Sequence, residues 1–506
     1  GVVYANYGRP EDFNWLKSVG VSVTGSVVVM RVGGGVSFAE KVWLAEKNGA
    51  GGALIYPDPA DLPQDPRRLG LSTHTVHLGS GDPFTPGFPS FNHTQFPPIR
   101  SSGLPLIPAL PITAAAASNQ LSGPPCPPSW RGRLPYVRCV VGPEFSSGQR
   151  VKMSVHNVMT PVLLNNIFSS LEGRVEPDQY IILGAQRDSL GPGAVKSGVG
   201  TAILLELART FSTMVKRGFS PRRSLLFVSW DAGEFGNVGA TEWLEGYLSM
   251  LHLKAVAYFS LDQAIMGKTC LMKPLYLNSG AYSFTAFAGV PAMELRFSEE
   301  RAYPFINTPL DSVSRLQEVL GGRLGVTGRS LGELVGEMVL RLTYDPVLPL
   351  RITSYGQSVL QFSAQLNQHA AELGLSPRWV FSARGDYSRA AESLQRTIDD
   401  SDLHDPSTSR LNARIMKVDE RRPVIIVEYY FLSQYVSAVE TPFRHVIHGR
   451  GNHTLSALTE HLALLTSDPG RFDEKRFRRQ LALFTWTLQG AANALNGDVW
   501  SIHNAH

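Results

Sequence analysis

From Ser26 to Val32 the apolar residues run almost without a break, as in a buried strand. Ser37 to Asn48 then carries Phe38, Val42, Leu44 and Ala45 on an approximate helical face, and Gly52 to Tyr56 is again a short apolar run. The opening "GVVYANYG" has the same strand-like character. A strand, helix, strand order is predicted for this first part. The stretch that follows, "GSGDPFTPGFPSFNHTQFPPIRSSGLPLIP", holds seven prolines, which excludes regular helix. Its phenylalanines, Phe84, Phe88, Phe91 and Phe96, predict a structured loop packed by rings, since disordered linkers carry few aromatics.

After Pro161 the pattern becomes regular. "YIILGAQRD" reads as a strand, followed by a Gly-rich turn and a helix from Val199 to Val215. Next come the strand "SLLFVSW", a helix around Ala240 to Ser249, and the strand "AVAYFSLD". Strands alternating with helices predict a mainly parallel sheet with helices on both faces, and the carboxyl ends of such strands are where these folds place their sites. From about Leu348 the β pattern fades. "SYGQSVLQFSAQLNQHAAELG", "SRAAESLQRTID", "HTLSALTEHLALL" and "FRRQLALFTWTLQGAANALNG" read as amphipathic helices, interrupted by "RRPVIIVEYYFLS", a strand or buried helix piece. The last helix is apolar over much of its circumference and needs burial, inside the domain or against another subunit. Three regions follow: 1–160, 161–347 and 348–506.

Composition narrows the class. The 506 residues are too many for one core. With 43% apolar and 18% charged residues the chain is a folded globular protein. A net charge of +4 without a long basic block gives no case for nucleic acid; pairs such as Arg421-Arg422 and Arg478-Arg479 read as solvated surface. No run of about 18 apolar residues is present, and no signal-like start; a trimmed ectodomain is expected. Cys126 and Cys139 flank the short loop "CPPSWRGRLPYVRC", which suits a disulfide in an oxidising compartment, two unrelated thiols being the alternative; Cys270 is then unpaired. Sequons stand at Asn92 and Asn452. Together these features tilt toward the cell exterior.

The strand ends hold Gln186-Arg187-Asp188, Asp231 to Glu234, and Asp262, with no histidine at any of them. A two-zinc hydrolase needs His and carboxylate ligands, a bridging carboxylate and a Glu base. Glu234 and Asp262 alone hold a hard cation weakly, or cap a helix and pair with Arg187. Arg384-Gly385-Asp386 has the form of an integrin tripeptide but opens a helix-like segment, with Arg389 one turn beyond Asp386.

Long motifs carry a resemblance. "GAQRDSLGPGAVKSGVG", "WDAGEFGNVGATEWLEGYL", "GDPFTPGFPSFNHTQFPP", "SARGDYSRA", "TPFRHV" and "LQGAANALNGDVW", in order and over nearly the whole chain, resemble the transferrin receptors and, more distantly, the glutamate carboxypeptidase II group of two-zinc M28 peptidases. The resemblance implies an apical, protease-associated β-rich domain, a zinc-peptidase-like doubly wound α/β domain and a C-terminal helical dimerisation domain. Laid over this chain, the peptidase pattern puts Gln186 and Asn307 where the zinc histidines stand, Ala194 at about the bridging Asp, and Gly233 at the base. Glu234 and Asp262 keep ligand positions. Gly accepts no proton and amides are poor zinc ligands. Losing a base alone removes ~10²–10⁴-fold in rate, so no zinc and no peptidase activity are expected.

The same resemblance implies a structural calcium held by Glu242 and Glu245 with main-chain oxygens at Thr85 and Phe88, a hard oxygen set. It implies a transferrin-binding surface on the helical domain at Leu360, Trp379, Phe381, Arg384, Gly385, Asp386 and Arg389. Phe381 stands where the family has Tyr, which deletes a hydroxyl. It further implies a homodimer, the ectodomain of a type II membrane protein anchored outside this chain, and an HFE-like protein as a further partner. A metal-dependent carboxypeptidase with altered ligands is the alternative in another class, and an integrin-binding adhesion protein rests on three residues. "DERRP" at Asp419 to Pro423 has no family counterpart, and strands expected before Gly1 and residues expected after Asp262 are missing.

Overall fold

The computed structural model describes residues 1–61, 80–90, 103–117, 121–132, 134, 138–145, 151–158, 160–270, 275, 279–299, 303–369, 374, 376–401, 427–437 and 441–496. Asn92, Phe91, Phe96 and the segment 419–423 lie outside them.

The first region is a four-stranded parallel sheet in the order β1 (Val2–Tyr4), β2 (Val27–Arg31), β3 (Gly52–Tyr56), β4 (Ala109–Pro111). Helices α1 (Pro10–Ser18) and α2 (Phe38–Lys47) connect the strands. Ser37 caps α2 by accepting the Glu40 N–H at 3.1 Å. Phe13 and Leu16 of α1, Val42 and Ala45 of α2, and Val28 and Met30 of β2 share one core. The disulfide Cys126–Cys139 closes a loop that follows the short helix α3 (Ala114–Ala117), and Leu121–Ser122 (β5) pairs with Glu144–Phe145 (β6).

The second region centres on a five-stranded sheet. Its strands are β7 (Ile167–Leu171), β8 (Glu176–Gln186), β9 (Arg223–Trp230), β10 (Ala255–Ser260) and β12 (Ala292–Glu294), in the order β12-β10-β8-β9-β7. Only β7, at one edge, runs antiparallel. The small ladder of β11 (Thr269–Cys270) and β13 (Phe297–Ser298) lies apart from it. Period-2 alternation splits the central strands between two cores, as predicted. Ile181 and Leu183 of β8 and Leu225 and Phe227 of β9 face helices α4 (Val199–Lys216) and α8 (Leu324–Tyr344). Ile182, Val228, Trp230 and Tyr258 face α5 (Val238–Lys254) and α6 (Tyr282–Ala286). Trp230 Nε1 donates to the Tyr258 hydroxyl at 2.9 Å, and Gly184 lies so close to both that a Cβ there would meet each within 2.3 Å.

The third region is helical: α9 (Ser354–His369), α10 (Arg378–Asp399), α11 (Val427–Tyr430), α12 (Leu455–Ser467) and α13 (Glu474–Asn496), with α7 (Val313–Val319) and α8 leading into it. Helix α13 packs along α10 and buries Phe477, Phe484, Leu488 and Ala491 within the chain. Its apolar composition is therefore accounted for without a second subunit. Trp486 is left 65% exposed.

Arg223, at the start of β9, is fully buried. Its guanidinium donates to the carbonyls of Leu342, Asp345 and Pro346 at 2.7, 2.9 and 3.1 Å and pairs with Glu176 at 3.0 Å. It thereby satisfies the carbonyls that the end of α8 leaves open. Arg223→Met should lower the unfolding free energy by roughly 3 kcal/mol, because three carbonyls lose their donor in a buried setting and Glu176 keeps only Arg222. Denaturant unfolding checks this, and an unchanged midpoint would show the staple to be dispensable.

Candidate functional site

The parallel register brings Gln186 beside Trp230 and Gly184 beside Ser260. The turns after β8, β9 and β10 therefore meet at one end of the sheet. The Gln186 N–H donates to Asp262 Oδ1 at 2.7 Å, and its side-chain amide donates to Glu234 Oε1 at 3.3 Å and to the Asp188 carbonyl at 3.0 Å. Asp188 caps the next turn, accepting the N–H groups of Gly233 and Glu234 at 2.7 and 3.1 Å. Of the residues expected to mark a former metal site, Gln186, Gly233, Glu234 and Asp262 thus come together. Asn307 lies in a left-handed turn at φ 58°, a conformation Asn tolerates.

One detail adds to expectation and one differs from it. Ala194 opens the wide helical turn Ala194–Gly198 before α4, its N–H bound to the Asp311 carbonyl at 3.0 Å. The side chain that reaches the acidic cluster from this turn is Lys196, with Nζ 3.5 Å from Glu234 Oε1. Arg187, the expected partner of the acidic residues, pairs instead with Asp231 at 3.3 Å. Sequence reasoning passed over Lys196 because a lone lysine in a Gly-rich turn carries no motif of its own.

Lys196 supplies the positive charge of this cluster. Burial pushes the carboxyls of Glu234, Asp262 and Asp311 above their ordinary range, and the Lys196 ammonium pulls each back toward the charged form. Asp311 is further held by the N–H groups of Val195 and Lys196 at 3.0 and 3.2 Å. A Cβ on Gly233 would meet the Gln186 side chain at 2.4 Å. Gln186 therefore occupies the room a glutamate at 233 would need. Among the described residues, no three His, Cys, Asp or Glu groups cluster closely enough to hold a metal ion.

A second acidic site lies on α5. Glu242 accepts the N–H of Asp82 and of Ser90, both at 2.6 Å, and Glu245 accepts that of Gly87 at 2.9 Å. Asp82 itself accepts the Ser90 hydroxyl at 2.5 Å and the Phe84 N–H at 2.9 Å. Thr85 and Phe88 stand within this loop, the Phe88 N–H donating to the Thr85 carbonyl at 3.1 Å. Phe88 is 65% exposed, so its ring does not pack the loop as predicted; the two glutamates hold it. Burial raises both carboxyls well above the usual range, and the Glu242 charge adds to the rise at Glu245. Glu245 Oε2 is buried without a hydrogen-bond donor, and neither glutamate pairs with a described Lys or Arg. Two adjacent buried carboxylates with an orphaned oxygen fit a hard cation. Asp82, absent from the expected set, is a third acidic neighbour.

The third site is the face of α10. Val380, Ala383, Tyr387, Ala390 and Leu394 are buried, and the Tyr387 hydroxyl donates to the Ile352 carbonyl at 2.7 Å. Trp379, in the first turn of α10, is 81% exposed, and Leu360 of α9 is 51% exposed. Arg384 lies 5.8 Å from the Phe381 ring centroid. Arg384-Gly385-Asp386 sits inside the helix, not at its start. Asp386 is held on both oxygens, by Arg389 at 2.6 Å and by Gln489 of α13 at 3.2 Å. An integrin reads such an aspartate on an exposed loop, and this one is neither on a loop nor free. Asn452 is exposed, while Thr454 of its sequon is buried and caps α12 by accepting the Ala457 N–H at 3.3 Å. Cys270 is an exposed free thiol. No helix among the described residues is long and apolar enough to cross a membrane.

The class follows first. Residues 166–282 match peptidase family M28 and residues 1–87 match the PA domain, which places a protease-associated layer beside a peptidase fold whose acidic cluster is neutralised by a lysine. The chain is 50% identical over 569 aligned positions to transferrin receptor protein 2 of Homo sapiens, covering 99% of this chain and 69% of that protein. It is 40% identical over 556 positions to transferrin receptor protein 1 of Gallus gallus, with 99% and 69% covered. The chain belongs to the transferrin receptor family.

The Lys196 pair can be tested directly. Lys196→Met should cost roughly 3 kcal/mol near pH 8, because Glu234 is left buried without its cation. Glu234 has a raised folded carboxyl. Its contribution is thus present at low pH and is lost as the pH rises above the ordinary value of 4.5, more steeply without Lys196. Lys196→Met with Glu234→Gln should recover most of the loss in a double-mutant cycle. Additive losses would mean that the two groups do not depend on each other.

Proposed function

We propose that this chain is the ectodomain of a non-catalytic cell-surface receptor that binds iron-loaded transferrin in iron uptake or iron sensing. The observation that carries the reading is in the helical region, where Trp379 of α10 and Leu360 of α9 are exposed and α10, which also carries Arg384, is anchored from behind by Tyr387. A rigid helix with an exposed indole and a guanidinium is the composition of a protein-binding hot spot. The disulfide Cys126–Cys139 supports an extracellular setting. Iron-loaded transferrin should bind the immobilised protein in surface plasmon resonance more tightly than iron-free transferrin. Trp379→Ala and Arg384→Ala should each weaken binding by about 2 kcal/mol, roughly thirtyfold. Absence of binding would overturn the function, and wild-type affinity in both variants would move the site elsewhere.

We infer further that the strand-end cluster is a degenerate peptidase centre without activity, and that Glu242 and Glu245 hold a calcium ion together with main-chain oxygens at Thr85 and Phe88. Calcium would neutralise two carboxyls that burial now raises. The metal-free protein has its full share of stability from these groups below their ordinary value of 4.5 and loses it as the pH rises. Elemental analysis should find about one calcium and no zinc per chain. Chelation should lower the Tm near pH 8 far more than near pH 5. An unchanged Tm would remove the calcium, and stoichiometric zinc with chelator-sensitive cleavage of acidic dipeptides would restore a peptidase.

A further inference from the structure

The sheet of the first region is covered unequally on its two faces. On the face toward α1 and α2, Val28, Met30, Ala53 and Ile55 are essentially inaccessible. On the other face the register lines up Tyr4, Val29, Leu54 and Leu110 across all four strands. There Val29 and Leu54 are half-buried and Leu110 is 43% exposed. A cavity of about 440 Å³ lies against this row, roofed by the Cys126–Cys139 disulfide and its loop. That volume falls within the roughly 300–1,000 Å³ of pockets that take small organic ligands.

The polar groups of the cavity are arranged by depth. Asp58, fully buried, also lines it. Its carboxylate accepts the Tyr56 hydroxyl at 3.1 Å and the Ala60 N–H at 2.8 Å. These donors already engage its oxygens, which as acceptors give an anionic head nothing to bind in the interior. At the opening stand Arg131 and Arg138, both exposed. Neither makes an ion pair or hydrogen bond with a described residue. Exposed guanidinium groups with no carboxylate partner among the described residues, on a cavity that also presents Val29 and Leu54, are chemistry for an anionic head on an apolar body.

We propose that this cavity is a binding site for small amphipathic carboxylates, with the apolar chain along Val29 and Leu54 and the carboxylate between Arg131 and Arg138. The site is independent of the α10 surface, so its failure leaves the receptor reading untouched. Decanoate, decanol and decylamine are suitable probes, titrated calorimetrically into the intact chain. Decanoate should bind saturably and at least tenfold more tightly than decylamine. Arg131→Ala with Arg138→Ala, both at exposed positions, should weaken decanoate at least tenfold and leave decanol unchanged. Leu54→Trp, which fills the cavity from the sheet, should abolish both. Equal binding of decylamine, or unchanged decanoate affinity in the double arginine variant, overturns the proposal, as does absence of decanoate binding.

Discussion

Carboxylates gathered at the carboxyl end of a parallel sheet need a cation, and in this chain Lys196 provides it. Glu234, Asp262 and Asp311 come from three separate turns, and each is buried enough that burial alone disfavours its charge. A divalent ion answers that problem in a metallohydrolase. An ammonium on the turn before α4 answers it with a covalently attached charge. The neighbouring residues are consistent with that choice. Gln186 donates to Glu234, as a metal-ligating group would not, and its side chain takes the volume that a glutamate at Gly233 would occupy. Within the cluster, the Gln186 side chain lies against the Gly233 position and Lys196 lies against Glu234.

The same reasoning separates the two acidic sites. At the strand ends, each carboxylate has Lys196 within electrostatic reach. On α5, Glu242 and Glu245 accept amide N–H groups from the loop at 82–90 and lie against each other, no described Lys or Arg pairs with them, and one oxygen of Glu245 has no donor. One site is electrically closed by the chain itself, and the other is incomplete. The incomplete one ties the loop of the first region to the sheet of the second. It works alongside the Ser80 hydroxyl, which donates to the Gly236 carbonyl, and Arg450, which pairs with Glu40 from the third region. The contacts named here between the first region and the other two are polar, whereas the second and third regions share one apolar core that runs from Ile181 and Leu342 to Val359 and Phe484.

Much of the architecture was legible from period alone. The strands Gly52–Tyr56 and Arg223–Trp230 and the helices Val199–Lys216 and Glu474–Asn496 follow the apolar pattern closely. Helix α8 was not legible, and its sequence says why. Gly325, Gly328, Gly332 and Gly336 depress helix propensity, yet Leu331, Val335, Val339 and Leu342 form a buried stripe. Packing overrode propensity there. The site was legible as a set of residue types at strand ends but not as a network: Lys196, Asp82 and Arg223 act through partners about 40 to 160 residues away. A single sequence has no periodic signal for such pairs.

The tripeptide Arg384-Gly385-Asp386 shows how the same constraint reaches the surface. In a flexible loop its three residues would be free to fit a partner's metal. Within α10, helical geometry sends Arg384 and Asp386 to different sides, and Asp386 is consumed by Arg389 and by Gln489 of α13. Asp386 then serves to lock α10 against α13, and the groups left to meet a partner are Arg384, Trp379 and Leu360. A partner docking there, as proposed, would meet a backbone already ordered, since the helix is anchored by Tyr387 and by Asp386 on its flanks. Recognition on this face would then depend on the pre-set geometry of a packed helix pair and not on the tripeptide as a motif.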